Sequence, residues 1–290
     1  MIYDNCTYQR VGSGVAQSFF SKLKATSHKL NIQVLIHKSK SIDLICHQQT
    51  ISNSKNKNLF TNIKHIFFDL DRTLWDFKAN SRATLSEVYT AFNLQEKGIR
   101  SAMDFIKTYE KINERMWDLY RRGELSKEKL RYGRFQKTLL LFGIKNELIG
   151  KEIGQYYIKH SPYKVGLFDH SHEILTFLKK NYQLHVITNG FEEVQHVKLR
   201  ESKLLEYFDK IITSEAANAK KPDPKIFEYA ESDTGAQKEN CLIIGDDLEA
   251  DIKGGIASGW KVIHFDPHRE FDKVENVLTI HHLQELEKHL

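Results

Sequence analysis

The 290-residue chain has no apolar run approaching the roughly 20 residues that span a bilayer. Its first 30 residues also lack the charged start, apolar middle and small-residue cleavage site of a secretory signal. Neither a membrane-spanning nor an exported protein is expected. Cysteine is scarce: Cys6, Cys46 and Cys241 are an odd number without metal-ligand spacing. That argues against a disulfide framework or a zinc site, and for reduced thiols and a cytoplasmic location. No internal repeat is visible.

An excess of one charge is likewise missing from most of the sequence. The net charge is +5, but residues 1–62 hold eight Lys or Arg against Asp4 and Asp43, a net of +6, and the remainder carries −1. An electrostatic case for nucleic acid would apply only to that first segment, and no nucleic acid is expected on the rest. The segment contains scattered apolar pieces, such as Ile32–Ile36 and Ile42–Cys46, and ends in the polar run Ser52–Asn58. Such a run reads as a flexible linker. Residues 1–61 are therefore expected to be a poorly ordered N-terminal extension.

What the chain does have, from Ile63 onward, is a series of short apolar runs: Ile66–Phe68, Leu184–Ile187, Ile211-Ile212, Leu242–Ile244 and Val262–Phe265. Segments of helical spacing alternate with them, with Ile174, Leu175 and Leu178 just before the second run and Val194, Val197 and Leu204 between the second and third. Strands apolar on both faces and alternating with helices predict a parallel α/β sheet. Between the first and second runs the pattern is helical throughout. Leu85, Val88, Tyr89 and Phe92 mark one face, Phe105, Tyr109, Ile112 and Met116 a second, and Leu130–Phe142 and Ile153–Tyr157 supply two more. Residues 79–165 are thus expected to be a small helical bundle inserted into the α/β core as a cap, with 62–78 and 166–290 forming that core.

Four polar clusters fall at expected strand ends, where open parallel sheets bind ligands. Asp69 and Asp71, two residues apart, can share one side of an extended segment, and two close carboxylates call for a cation or a shared proton. Thr188-Asn189-Gly190 suits phosphate oxygens, although turn chemistry alone also explains it. Lys221, before Pro222, can hold a point charge near a phosphate, or can belong to an exposed basic loop. Asp246, Asp247 and Asp251 offer hard oxygen ligands of the kind Mg²⁺ takes, or are acids favoured near a helix N-terminus. Each cluster has a simpler explanation alone; all four in this order do not.

In that order, Asp-Leu-Asp-Arg-Thr (69–73), Thr-Asn (188–189), Lys-Pro-Asp (221–223) and Gly-Asp-Asp with a later Asp (245–251) resemble the four motifs of the haloacid-dehalogenase-like hydrolases. The resemblance covers about residues 63–290. It implies a three-layer α/β/α Rossmann-like core with an inserted helical cap, and a phosphomonoesterase working through an aspartyl-phosphate. Asp69 would be the nucleophile and Asp71 the general acid and base, whose presence disfavours a dehalogenase. Thr188 and Asn189 would bind the phosphate, and Lys221 would neutralise charge on it. The Asp69 carboxylate, the Asp71 carbonyl and Asp246 would hold Mg²⁺, with Asp247 and Asp251 in support. Arg72 departs from the family pattern, which has glycine there.

The stretches Leu74–Phe77, Met116–Gly123 and Arg131–Phe135 further resemble the cap of the housecleaning pyrimidine 5′-nucleotidases. That resemblance implies nucleoside monophosphates, standard or not, as substrates, with Trp117, Tyr120, Arg134 and Phe135 as base contacts. A sugar-phosphate phosphatase or phosphomutase on the same scaffold is the alternative, and a binding protein without catalysis the more distant one. A monomer or homodimer acting on a small phosphorylated metabolite is expected.

Overall fold

The computed structural model describes residues 60–272 and 274–290. All but the last two residues of the expected N-terminal extension lie outside them. Strands β1 (His65–Phe68), β2 (Gln183–Thr188), β3 (Lys210–Thr213), β4 (Cys241–Gly245), β5 (Lys261–Phe265) and β6 (Leu278–Ile280) form one parallel sheet in the order β3-β2-β1-β4-β5-β6. Five of them coincide with the apolar runs. The sixth was not anticipated: Leu-Thr-Ile is three residues long and half-buried at the sheet edge, too short to show a period.

Side-chain alternation along each strand builds two apolar layers. Ile66 and Phe68 of β1 join Leu184, Val186, Leu242 and Ile244 on one face, against Ile174, Leu175 and Leu178 of helix α5 (Ser171–Leu178). Phe67 points the other way, with Ile187, Ile212 and Ile243, against Ile226, Phe227 and Ala230 of helix α7 (Pro224–Thr234). The core is thus α/β/α. Cys241 is a buried free thiol at the start of β4.

Four helices fill the interval between β1 and α5: α1 (Phe77–Ala91), α2 (Ala102–Arg121), α3 (Lys127–Leu141) and α4 (Glu147–His160). Asp76, Ser101, Ser126 and Asn146 each accept a backbone N–H at the helix start, which fixes where each begins. The helices close around their own core of Leu85, Val88, Phe105, Tyr109, Phe135, Leu139, Ile153 and Tyr157. The expected stripes all contribute to it.

Helix α6 (Glu192–Glu201) differs from expectation. Val194 and Val197 are only half-buried, whereas Gln195, Lys198 and Leu199 face inward. Leu199 joins the apolar layer, but Gln195 and Lys198 turn inward to the Asp71 carboxylate, so hydrophobic spacing misassigns the helix.

Phe67 is fully buried between His185 and Trp260, with ring centroids 4.7 and 4.4 Å away. Phe67→Ala is expected to destabilise the protein by about 3–5 kcal/mol, measured by urea unfolding. A loss below about 1 kcal/mol would show that this layer collapses around the cavity.

Candidate active site

The strand order reverses direction at β1, which has β2 on one side and β4 on the other. Such a switch point leaves a crevice at the carboxyl ends of the strands. The Asp69 N–H donates to the Ile244 carbonyl at 2.9 Å, so Asp69 extends the β1–β4 ladder by one residue and stands at its mouth. Asp246 follows the end of β4. Asp251 returns from the next helical turn, residues Leu248–Lys253, where the Ile252 N–H reaches the Asp247 carbonyl in the wide π manner. Asp247 caps that turn by accepting from the Glu249 and Ala250 N–H groups, each at 2.9 Å, while its own N–H donates to Asp251 Oδ2 at 3.1 Å. Gly245 makes this possible: a Cβ there would collide with the Asp251 carboxylate.

The carboxylates of Asp69, Asp246 and Asp251 lie within 4.8 Å of one another. Among them sits Lys221, 1% exposed. Its Nζ is 2.7 Å from Asp69 Oδ1, 2.7 Å from the Ile187 carbonyl and 2.6 Å from Asp251 Oδ1. Lys221 precedes Pro222 through a cis peptide bond.

Charge is out of balance here. Burial pushes the Asp69 carboxyl up to about 7, with Lys221 opposing and Asp251 and Asp71 adding to the rise. Burial also raises Asp246 well above the usual range, reinforced by Asp69 and Asp251 and countered by Arg72. Asp251 is raised by burial and held back by Lys221. Burial would lower Lys221, but Asp251 and Asp69 outweigh it and raise its pKa. Two buried carboxylates and one half-buried one against one ammonium would, if all ionised, leave an excess of negative charge, which the raised pKa values resist. A hard dication with an oxygen-only donor set answers that excess.

Asp69, Asp71, Thr188, Asn189, Lys221, Asp246, Asp247 and Asp251 all line one cavity of about 370 Å³. The sequence motifs therefore converge. Thr188 Oγ1 accepts from the Gly190 N–H at 3.0 Å, and its hydroxyl proton remains a donor. Asn189, expected as a phosphate ligand, lines the cavity and also holds the lysine loop. Its Nδ2 donates to the Lys221 carbonyl at 2.9 Å and its Oδ1 accepts from the Lys221 N–H at 2.8 Å. Both polar ends are engaged in fixing the lysine loop. Asp71 lines the same cavity outside the three-acid cluster and pairs with Lys198 and Gln195.

The expected base contacts divide. Trp117 lines the cavity. Tyr120 is buried beneath it against Phe191, with the Lys220 ammonium 4.4 Å from its ring centroid. Phe135 is in the bundle core, and Arg134 is 4% exposed and donates to Asn113 Oδ1 at 2.7 Å. Neither reaches the cavity, because the inner face of α3 packs on α2 and α4. In their place Asn113, Glu114 and Arg121 of α2, Phe77 of α1 and Phe271 line it. The first three sit at i, i+1 and i+8 of one helix, and no pattern in the sequence separates them from solvent-facing polar residues. Arg72 adopts a left-handed backbone, φ 72°, the conformation for which glycine is favoured.

The sequence profile of the haloacid dehalogenase-like hydrolases matches residues 66–265. The chain is 31% identical over 207 residues to pyrimidine 5′-nucleotidase PynA of Streptococcus pneumoniae, covering 71% of this chain and 84% of that protein. It is 30% identical over 229 residues to pyrimidine 5′-nucleotidase YjjG of Escherichia coli, covering 77% and 96%. Among solved structures it is similar to the HAD-hydrolase YfnB from Bacillus subtilis bound to magnesium, with TM-score 0.72, 27% identity and coverage of 79% and 98%.

The raised carboxyls set a sign for stability. A group whose folded pKa is raised stabilises fully below its unfolded value and loses that contribution as pH rises through the folded one. In excess chelator, the contribution of Asp69 is therefore expected to be lost as pH rises from 3.8 to about 7. Asp246→Asn, which removes a carboxyl whose ionised form the folded site disfavours, is expected to stabilise the chelated protein at pH 8 by on the order of 1–2 kcal/mol. Thermal melts across pH check both, and a destabilised Asp246→Asn under chelation would contradict the charge imbalance.

Proposed function

This chain belongs to the haloacid dehalogenase-like hydrolases, and we propose that within the family it is a magnesium-dependent phosphatase of nucleoside monophosphates, pyrimidine ones foremost. What carries the reading is the meeting of Asp69, Asp246 and Asp251 around Lys221 at the floor of a cavity sized for a small ligand.

Asp69 and Asp246, with Asp251 behind them, would hold the Mg²⁺, whose bound charge would ease the approach of an anionic carboxylate to an anionic phosphate. The residues do the rest. An Asp69 oxygen attacks phosphorus, the bond to the leaving oxygen breaks, and Asp71 supplies that oxygen with a proton. Water then attacks the phosphorus of the aspartyl-phosphate and gives a proton to Asp71, while the bond from phosphorus to the Asp69 oxygen breaks, restoring the carboxylate and releasing inorganic phosphate. Lys221 holds Asp69 in place and offsets charge on the transferred group, and Thr188 donates to a phosphate oxygen.

Two relatives that are pyrimidine 5′-nucleotidases, each at least 30% identical over most of this chain, support the substrate class. Trp117 offers a ring on which a base can stack, beside polar Asn113 and Glu114. The helices of residues 79–165 then act as the cap over the phosphate site. Magnesium in the similar Bacillus subtilis structure supports the choice of cation.

Asp69→Asn is expected to lower kcat by at least roughly 1,000-fold with the fold intact by circular dichroism; near-normal turnover would remove it as nucleophile. Dialysis against chelator is expected to abolish phosphate release, and added Mg²⁺ to restore it. Across pyrimidine and purine monophosphates and sugar phosphates, kcat/KM is expected to be highest for pyrimidine nucleotides. A preference for sugar phosphates would transfer the enzyme to the alternative substrate class.

A further inference from the structure

Asp71 is gripped from helix α6. Lys198 Nζ donates to its Oδ1, and Gln195 Nε2 donates to its Oδ2 at 3.0 Å. Both donors are buried, with the Lys198 side chain 4% exposed and Gln195 1% exposed. The Lys198 ammonium is also confined from its other side, 4.1 Å from the Trp75 ring centroid and 5.9 Å from that of Phe77. Trp75 is fully buried and donates its indole N–H to the Lys164 carbonyl at 2.9 Å, so the wall is fixed. The Asp71–Trp75 turn closes on itself through the Arg72 N–H to the Trp75 carbonyl at 2.9 Å.

Gln195 owes its place to Gly190. A Cβ at Gly190 would overlap the Gln195 carboxamide, so the glycine after Thr-Asn leaves the space through which Gln195 reaches Asp71. A lysine and a glutamine turned into the interior are costly without a partner. Here both converge on one carboxylate at the edge of the cavity.

We propose that Gln195 and Lys198 are positioning residues for Asp71, holding it in the rotamer from which it exchanges a proton with the leaving oxygen. The inference rests on the assignment of Asp71 as that proton donor. Free of its two partners, the side chain would redistribute among staggered wells, most of which carry the carboxyl out of reach of the substrate. Neither Gln195 nor Lys198 touches the phosphate in this scheme. Trp75 serves Lys198, and Gly190 serves Gln195.

Leaving groups distinguish this role from simple support of the fold. As the phosphorus–oxygen bond breaks, its electron pair stays on the departing oxygen. A nucleoside 5′-alkoxide needs the Asp71 proton, whereas p-nitrophenolate is stable as an anion. The ratio kcat/KM reads steps up to phosphoryl transfer. For Gln195→Leu and Lys198→Met it is expected to fall roughly 10- to 100-fold with a pyrimidine nucleoside monophosphate, and to stay within about threefold with p-nitrophenyl phosphate. Lys198→Arg, which keeps a donor, is expected to recover part of the loss. Asp71→Asn is measured alongside and is expected to show the same contrast more strongly.

If Asp71→Asn shows the contrast and Gln195→Leu and Lys198→Met do not, the positioning role is wrong. An equal fall on both substrates overturns it as well, since that is what general loosening produces. If Asp71→Asn leaves the nucleotide reaction at the wild-type rate, the proton-donor assignment itself is wrong, and the inference goes with it. Gln195→Leu changes no charge and keeps the outcome readable should Lys198→Met fail to fold.

Discussion

One ammonium group among more carboxylates than it can neutralise is the constraint on which the rest of this structure depends. Lys221 contacts Asp69, Asp251 and a strand-end carbonyl at once, while the Asp246 carboxylate has no ion pair among the described residues. Bringing buried like charges this close is unfavourable in itself. The fold tolerates it because two of the acids and the lysine are fixed by something besides charge. Asp69 is a rung of the β1–β4 ladder, Asp251 is turned back by a capped π-like turn, and Lys221 is held by both ends of the Asn189 carboxamide. The stored repulsion is what makes the site fit for a dication.

The helical layer meets this floor at one aromatic hub. Phe191 packs against Trp117 and Tyr120 and carries the Lys127 and Arg131 cations 4.8 and 4.9 Å from its ring centroid. Lys127 pairs with Glu193 at 3.0 Å and also with Glu215, and Arg131 pairs with Glu193. Arg121 reaches Asp247 at 3.4 Å. The cavity lined by Trp117 and the three acids is partly open, and a ligand displacing water from it would strengthen the electrostatic terms within it. Its lining is mixed: charge at the floor, and Trp117, Phe77 and Phe271 higher up.

Much of this was legible in the sequence. Five strands and four helices announced themselves through apolar spacing, and the four polar clusters marked one site. Three features were not legible, for related reasons. The edge strand Leu278–Ile280 is too short to carry a period. Two of the three buried residues of α6 are polar, so Val194 and Val197 mislead, and Gln195 and Lys198 look like solvent-facing residues. Arg134 and Phe135 resembled ligand contacts because aromatic and basic residues suit a base, yet the same side chains also fill a helical core, where Arg134 lies 5.2–5.8 Å from three ring centroids.

The sequence alone determined the layers, the position of the helical insertion and the identity of the acids and lysine that meet. Periodicity and strand-end chemistry are local properties, readable within a dozen residues. Only the tertiary structure decided what the distant polar groups are paired with: that Asn189 holds the lysine loop, and that Asp71 turns to α6. Those partners are separated by up to 127 positions along the chain. Contacts at that range depend on how the layers pack, which no local pattern encodes.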